Sequence, residues 1–159
     1  VWHPGITKAT QSFLDHAGLN IKVSELITSR KNSVFSNFVV ATKSYWEKWK
    51  VLATKFLMYV DNPGDNLSKL KTLHRSGEQP MKVFIQERLP ALILTDKKHS
   101  VVAINPNTGI TSPLFVNSPE NKKRLEMCDG IKDEIIETGL SSYLYNELNK
   151  ARQSVIFKK

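Results

Sequence analysis

Ser44-Tyr45-Trp46-Glu47-Lys48-Trp49-Lys50-Val51-Leu52-Ala53-Thr54-Lys55-Phe56-Leu57-Met58-Tyr59-Val60 is the stretch that decides the fold of this chain. Tyr45, Trp46, Trp49, Leu52, Ala53, Phe56, Leu57 and Val60 recur at intervals of three and four. That spacing predicts a helix with one wide apolar stripe turned to a core. Ser44 followed by Glu47 has the form of a capping box. Lys48, Lys50 and Lys55 fall elsewhere on the wheel, and Asp61-Asn62-Pro63-Gly64-Asp65-Asn66 is a strong stop.

Upstream, residues 7–17 read as a short helix capped by Thr7, with Ile6, Phe13, Leu14 and Ala17 near one face and Gly18 as its end. The β-branched and aromatic run Val34 to Ala41 predicts a strand, and its unbroken apolar end, Phe38 to Ala41, predicts a buried one. Downstream, residues 66–79 are polar and mixed, a loop with a weak helical turn. Pro80 suits the first turn of another helix with Met81, Phe84, Ile85, Leu89, Leu92 and Ile93 on its apolar side. Pro90 removes an amide and disfavours helical geometry at Leu89, so a kink or early end is expected there.

Ser100 to Ile104 reads as a short strand before the turn Asn105-Pro106-Asn107-Thr108-Gly109. Ser118-Pro119-Glu120 opens a helix running to Thr138, broken by Gly139. A last helix over 141–154 aligns Leu144, Leu148 and Ala151. The expected fold class is α/β and helix-rich, with roughly two or three short strands and about four to five helices.

The 159 residues suit a single domain or domain fragment. A start at Val1-Trp2-His3-Pro4, without Met, is what a piece of a longer chain would show. With 40% hydrophobic and 24% charged residues, a wholly disordered tail, a collagen-like repeat and a membrane-embedded bundle are excluded. The net charge of +8 admits nucleic acid, an anionic membrane surface or an anionic substrate as partner. Its distribution is even: residues 1–80 carry 11 basic and 6 acidic side chains, and residues 81–159 carry 12 and 9. Spread charge of this kind is the mark of a solvated surface. A lone cysteine, Cys128, excludes an internal disulfide framework and any multi-cysteine zinc site.

Most catalytic signatures are missing. His3, His16, His74 and His99 form no pair at helical spacing, so no metal site is expected within the chain. The seven glycines make no phosphate-binding loop, and neither a Gly-x-Ser-x-Gly elbow nor an Asp-x-Asp occurs. Two clusters remain. Asn37, within Ser36-Asn37-Phe38 of the apolar run, needs hydrogen-bond partners on the protein or on a ligand. In Lys82-Val83-Phe84-Ile85-Gln86-Glu87-Arg88-Leu89, a Glu–Arg pair among apolar residues is either an ion pair locking a helix to its neighbour or a polar pocket. In the second case Glu87 acts as base or accepts a sugar hydroxyl, with Gln86 and Arg88 beside it.

Taken together, Asn37-Phe38, the Tyr45-Trp46 helix opening and Phe84 to Leu89 resemble a recurring segment of bacterial glycosyltransferases, covering residues 34 to 104. The resemblance implies a partial Rossmann-like fold, with residues 1–117 as the transferase-like part and 118–159 as a C-terminal helical pair. It implies transfer of a hexose from a nucleotide sugar to a glycan or lipid-linked acceptor in polysaccharide biosynthesis, in the cytoplasm or on the inner membrane face. Glu87 would be the catalytic base or the carboxylate that orients the acceptor; Asn37, Gln86, Arg88 and His3 would contact substrate.

Such enzymes hold the donor diphosphate through a divalent metal on Asp-x-Asp, which this chain lacks. The resemblance therefore places these residues in the acceptor-side, C-terminal part, with Mn or Mg in an upstream donor half. Pro90 also departs from the family pattern. Two other classes stand beside this reading: a basic nucleic-acid-binding module, opposed by Trp46 and Trp49 lying on the apolar stripe, and a non-catalytic helical interaction domain.

Overall fold

The computed structural model describes residues 3–29, 32–34, 39–62, 64, 67–74, 77–96, 99, 101–102 and 119–156. Six α-helical segments and one two-stranded antiparallel sheet are formed among them. The chain divides into two units. Val1–Leu26 with Val34–Ser100 make the first, and Ile27–Ser33 with Val101–Lys159 make the second.

In the first unit, helix α1 (Ile6–His16) buries Ala9, Thr10, Phe13 and Leu14. It begins one residue ahead of the expected Thr7 cap. Gly5 holds the N-cap position at φ 87°, where an L side chain is strained, and no side chain bonds to the helix end. Helix α2 (Lys43–Val60) buries Tyr45, Leu52, Phe56, Tyr59 and Val60. Phe13 and Phe56 meet edge to face at 5.1 Å, a favoured aromatic geometry that ties α1 to α2. Lys55 Nζ donates to the Ala17 carbonyl at 2.8 Å, just past the end of α1. Gln11 accepts from Val23 N at 2.8 Å and donates to the Ile21 carbonyl at 3.1 Å, holding residues 21–23 against α1.

The capping box at Ser44 is not formed. Thr42 is the N-cap residue without a side-chain bond to the helix, and the Thr42 and Ser44 hydroxyls meet each other at 3.0 Å. Glu47 pairs with Lys43 at 3.8 Å instead. The apolar stripe is also narrower than expected. Trp46 is 40% and Leu57 55% exposed. At about 100° per residue they sit roughly 100° and 120° from Tyr45, beyond the arc that a single neighbouring layer covers.

The polar segment 66–79 is the largest departure from expectation. A 3-10 turn, Leu67–Lys69, does appear in it. Beyond that turn lies a hairpin of β1 (Lys71–His74) and β2 (Gly77–Pro80), with Lys71 opposite Pro80 and His74 opposite Gly77. The expected strand at Val34–Ala41 falls partly outside the described residues, which lack 35–38. Val39, Val40 and Ala41 are not in a strand, and Val40 is fully exposed. Of the strand expected at Ser100–Ile104, only Val101 and Val102 are described; they are irregular and exposed.

Pro90 acts as anticipated. Helix α3 (Met81–Gln86) stops, Glu87 and Arg88 form a turn, and α4 (Leu89–Ile93) restarts with proline in its first turn. An uninterrupted helix would need a Pro90 amide to donate to Gln86, and there is none. All five residues of α4 are buried. Leu89, Leu92 and Ile93 join Phe13, Leu14, Tyr45, Leu52, Phe56, Met81 and Ile85 in the main core.

In the second unit, α5 (Pro119–Thr138) and α6 (Ser142–Ile156) are joined through Gly139, at φ 96°, and Ser141. The Ser141 hydroxyl accepts from Leu144 N at 3.1 Å, capping α6. Ile27 packs with Ile135, Leu144 and Leu148, so Ile27–Ser33 belongs with the two helices. Arg124 donates to the Ser154 carbonyl at 2.9 Å and pairs with Glu120. No helix among the described residues is long and apolar enough to cross a membrane.

Candidate functional site

The α3–α4 turn and the N-terminal segment meet around one aromatic stack. His3 adopts φ 60°, a left-handed conformation uncommon outside glycine, and its ring lies on Phe84 at 3.7 Å. His74, from β1, runs parallel to His3 at 5.5 Å and contacts Phe84 at 5.4 Å. Thr72 Oγ1 donates to the Pro4 carbonyl at 3.3 Å and pins the N-terminal segment to the hairpin. Two imidazoles and a phenyl from three separate elements thus form one face.

His3 sits in an environment that disfavours its charged form. Its Nδ1 is buried without a hydrogen-bond partner. Burial pushes its pKa below the usual histidine value, Arg88 and His74 push it the same way, and Glu87 opposes them. Neutral imidazole is the favoured form, able to donate from one nitrogen and accept at the other.

Arg88 is half-buried, and its guanidinium donates to the Phe84 carbonyl at 2.5 Å. The lock expected between Glu87 and Arg88 is replaced by a lock of Arg88 onto its own preceding helix. Burial lowers the Arg88 pKa, while the neighbouring Glu87 works against that shift. Glu87 and Gln86 are exposed. Of the residues nominated from sequence, His3, Glu87 and Arg88 are therefore brought together, with Gln86 on the same turn. Asn37 lies outside the described residues.

Among the described residues this unit has at least two cavities. One, of about 560 Å³, is bordered by Pro4, Gly5, Lys8, Ser12, Lys71 and Met81, beside the His3 segment. The other, of about 430 Å³, lies along α2. Glu87 lines neither of them. Among the described residues no group of three or more His, Cys, Asp or Glu side chains is placed to hold a metal ion.

Sequence reasoning missed His74, whose placement depends on a hairpin with almost no strand formers, and it set Trp46 in the core. An exposed indole between Lys43 and Lys50 lifts the objection to nucleic-acid stacking for Trp46, while Trp49 stays packed against the core as expected. No family model matches the chain, nor does any curated protein or solved structure.

Proposed function

We propose that this chain is the acceptor-side part of a bacterial nucleotide-sugar-dependent glycosyltransferase with a partial Rossmann-like fold, working in the cytoplasm or on the inner membrane face. The observation that supports it is the placement of His3, from the N-terminal segment, beside the Glu87–Arg88 pair of the α3–α4 turn. Exposed Glu87 takes the proton of an acceptor hydroxyl as its oxygen attacks the sugar's anomeric carbon. The bond to the nucleoside diphosphate breaks, and its electron pair leaves with the diphosphate. Neutral His3 and Gln86 contact other hydroxyls, and Arg88 holds the turn. Donor binding, with its Mn or Mg, belongs to a different part of the protein.

Glu87→Gln keeps the size and removes the base. In the full-length gene product, transfer from nucleotide hexoses should fall by about 10²-fold or more with the melting temperature unchanged. Unchanged turnover would sink this reading. A second reading, a non-catalytic interaction domain, draws on the exposure of Glu87 away from both cavities. It expects Glu87→Gln to be silent in every assay.

A further inference from the structure

The α2 cavity carries chemistry that the transferase reading does not use. It is floored by Leu19, Ile21, Val51, Leu52, Leu92 and Ile93, with Lys48 and Lys55 along one side. Thr95, the one hydroxyl side chain among its described lining residues, already donates to the Leu92 carbonyl at 2.7 Å. Among the described residues no aromatic ring lines it.

These features select among occupants. An extended peptide would bring amides that this lining cannot pair, and an unpaired buried amide is costly. One turn of a helix about 10 Å across fills roughly 420 Å³, the whole groove, so a helix would be gripped over a single turn. An aliphatic chain has no polar backbone to satisfy, and about 430 Å³ is within the ordinary range of small-molecule sites.

Charge sets the head group. Glu47, the one carboxylate among the described lining residues, has its charge offset by Lys43 at 3.8 Å. Lys55 Nζ gives one of its three protons to the Ala17 carbonyl, a neutral acceptor. Lys55 thus sets a positive charge at the edge of an apolar groove.

We propose that this groove binds a single aliphatic chain ending in a carboxylate, its tail along Val51, Leu52, Leu92 and Ile93 and its head at Lys55. The site stands independently of the transferase reading, and the Glu87→Gln result does not bear on it.

The test titrates the intact chain with dodecanoate and with dodecanol, below their aggregation thresholds, by calorimetry. Dodecanoate should bind at one per chain and roughly threefold to fivefold tighter than dodecanol, the scale of an exposed ion pair. Lys55→Met should erase that preference and leave dodecanol affinity unchanged. Val51→Asp puts a charge beside the tail at a position 60% exposed, which the fold tolerates, and should weaken both ligands by about tenfold. Val51→Phe, which narrows the groove without a charge, should weaken them too. Absence of saturable binding overturns the proposal, as does an undiminished carboxylate preference in Lys55→Met. So does binding to anionic phospholipid vesicles without binding of free dodecanoate, which would mean a surface attraction and no chain-sized site.

Discussion

Helices α2 and α5 are of similar length, 18 and 20 residues, yet they bury five and two side chains respectively. In α2 the buried set contains three aromatic rings, Tyr45, Phe56 and Tyr59, and Phe56 meets Phe13 of α1. In α5 it is Cys128 and Ile135 alone, and much of the helix surface is charge, including the Asp129–Lys132 pair at 3.1 Å and the Glu120–Arg124 pair. Burial of large apolar surface scales with stability, while a half-buried ion pair must first offset the desolvation of its own charges. The first unit therefore rests on a wide aromatic core, and the second on a few aliphatic contacts, Ile27, Ile135, Leu144 and Leu148, plus caps.

The sharpest way to break this contrast is Phe56→Ala. Phe56 is 2% exposed in the main core, and truncating it should cost about 3–5 kcal/mol. In hydrogen exchange, the amides of α1 and α2 should lose protection first. If the loss is under about 1 kcal/mol, the aromatic core is not what holds this unit.

Leu148→Ala is the matching experiment in the second unit. Leu148 is fully buried, and the cost should be about 2–3 kcal/mol, at the low end because few large neighbours surround it. Protection should fall in α5 and α6. Should α1 and α2 lose protection equally, the two cores unfold as one and the contrast fails.

The same contrast explains what could be read in advance. Helices announce themselves through period: α2, α6 and the Pro90 break were legible because three- and four-residue spacing and a missing amide act locally. The hairpin was not. Gly77-Glu78-Gln79-Pro80 contains no strand former, and β2 exists because Lys71–His74 pairs with it and Leu70 accepts from Met81 N at 2.9 Å. Local propensity was overridden by tertiary context. Trp46 misled for a related reason: periodicity finds the middle of an apolar face but not its edges. At the candidate site, Glu87 and Arg88 stood out as charges among apolar residues. The stacking of His3 on Phe84 and His74 has no local signature at all, because its members come from three elements.

That stack yields the smallest effect, and it belongs to the first unit alone. Burial, Arg88 and His74 depress the His3 pKa in the folded chain, so the unfolded chain binds the proton more readily. Stability from neutral His3 is thus complete above the ordinary histidine pKa of about 6.5 and is lost as pH falls below it, toward the depressed folded value. Thermal melting followed from pH 7.5 to pH 5 should show a decline. His3→Asn should flatten it, because asparagine tolerates the left-handed backbone at this position but does not titrate. The unit lacking His3 supplies the internal control: protection in α5 and α6 should be the same at both ends of the range in the parent and in His3→Asn. A decline of equal size in the variant would assign the pH response to other titrating groups, the remaining histidines among them, and remove His3 from the account.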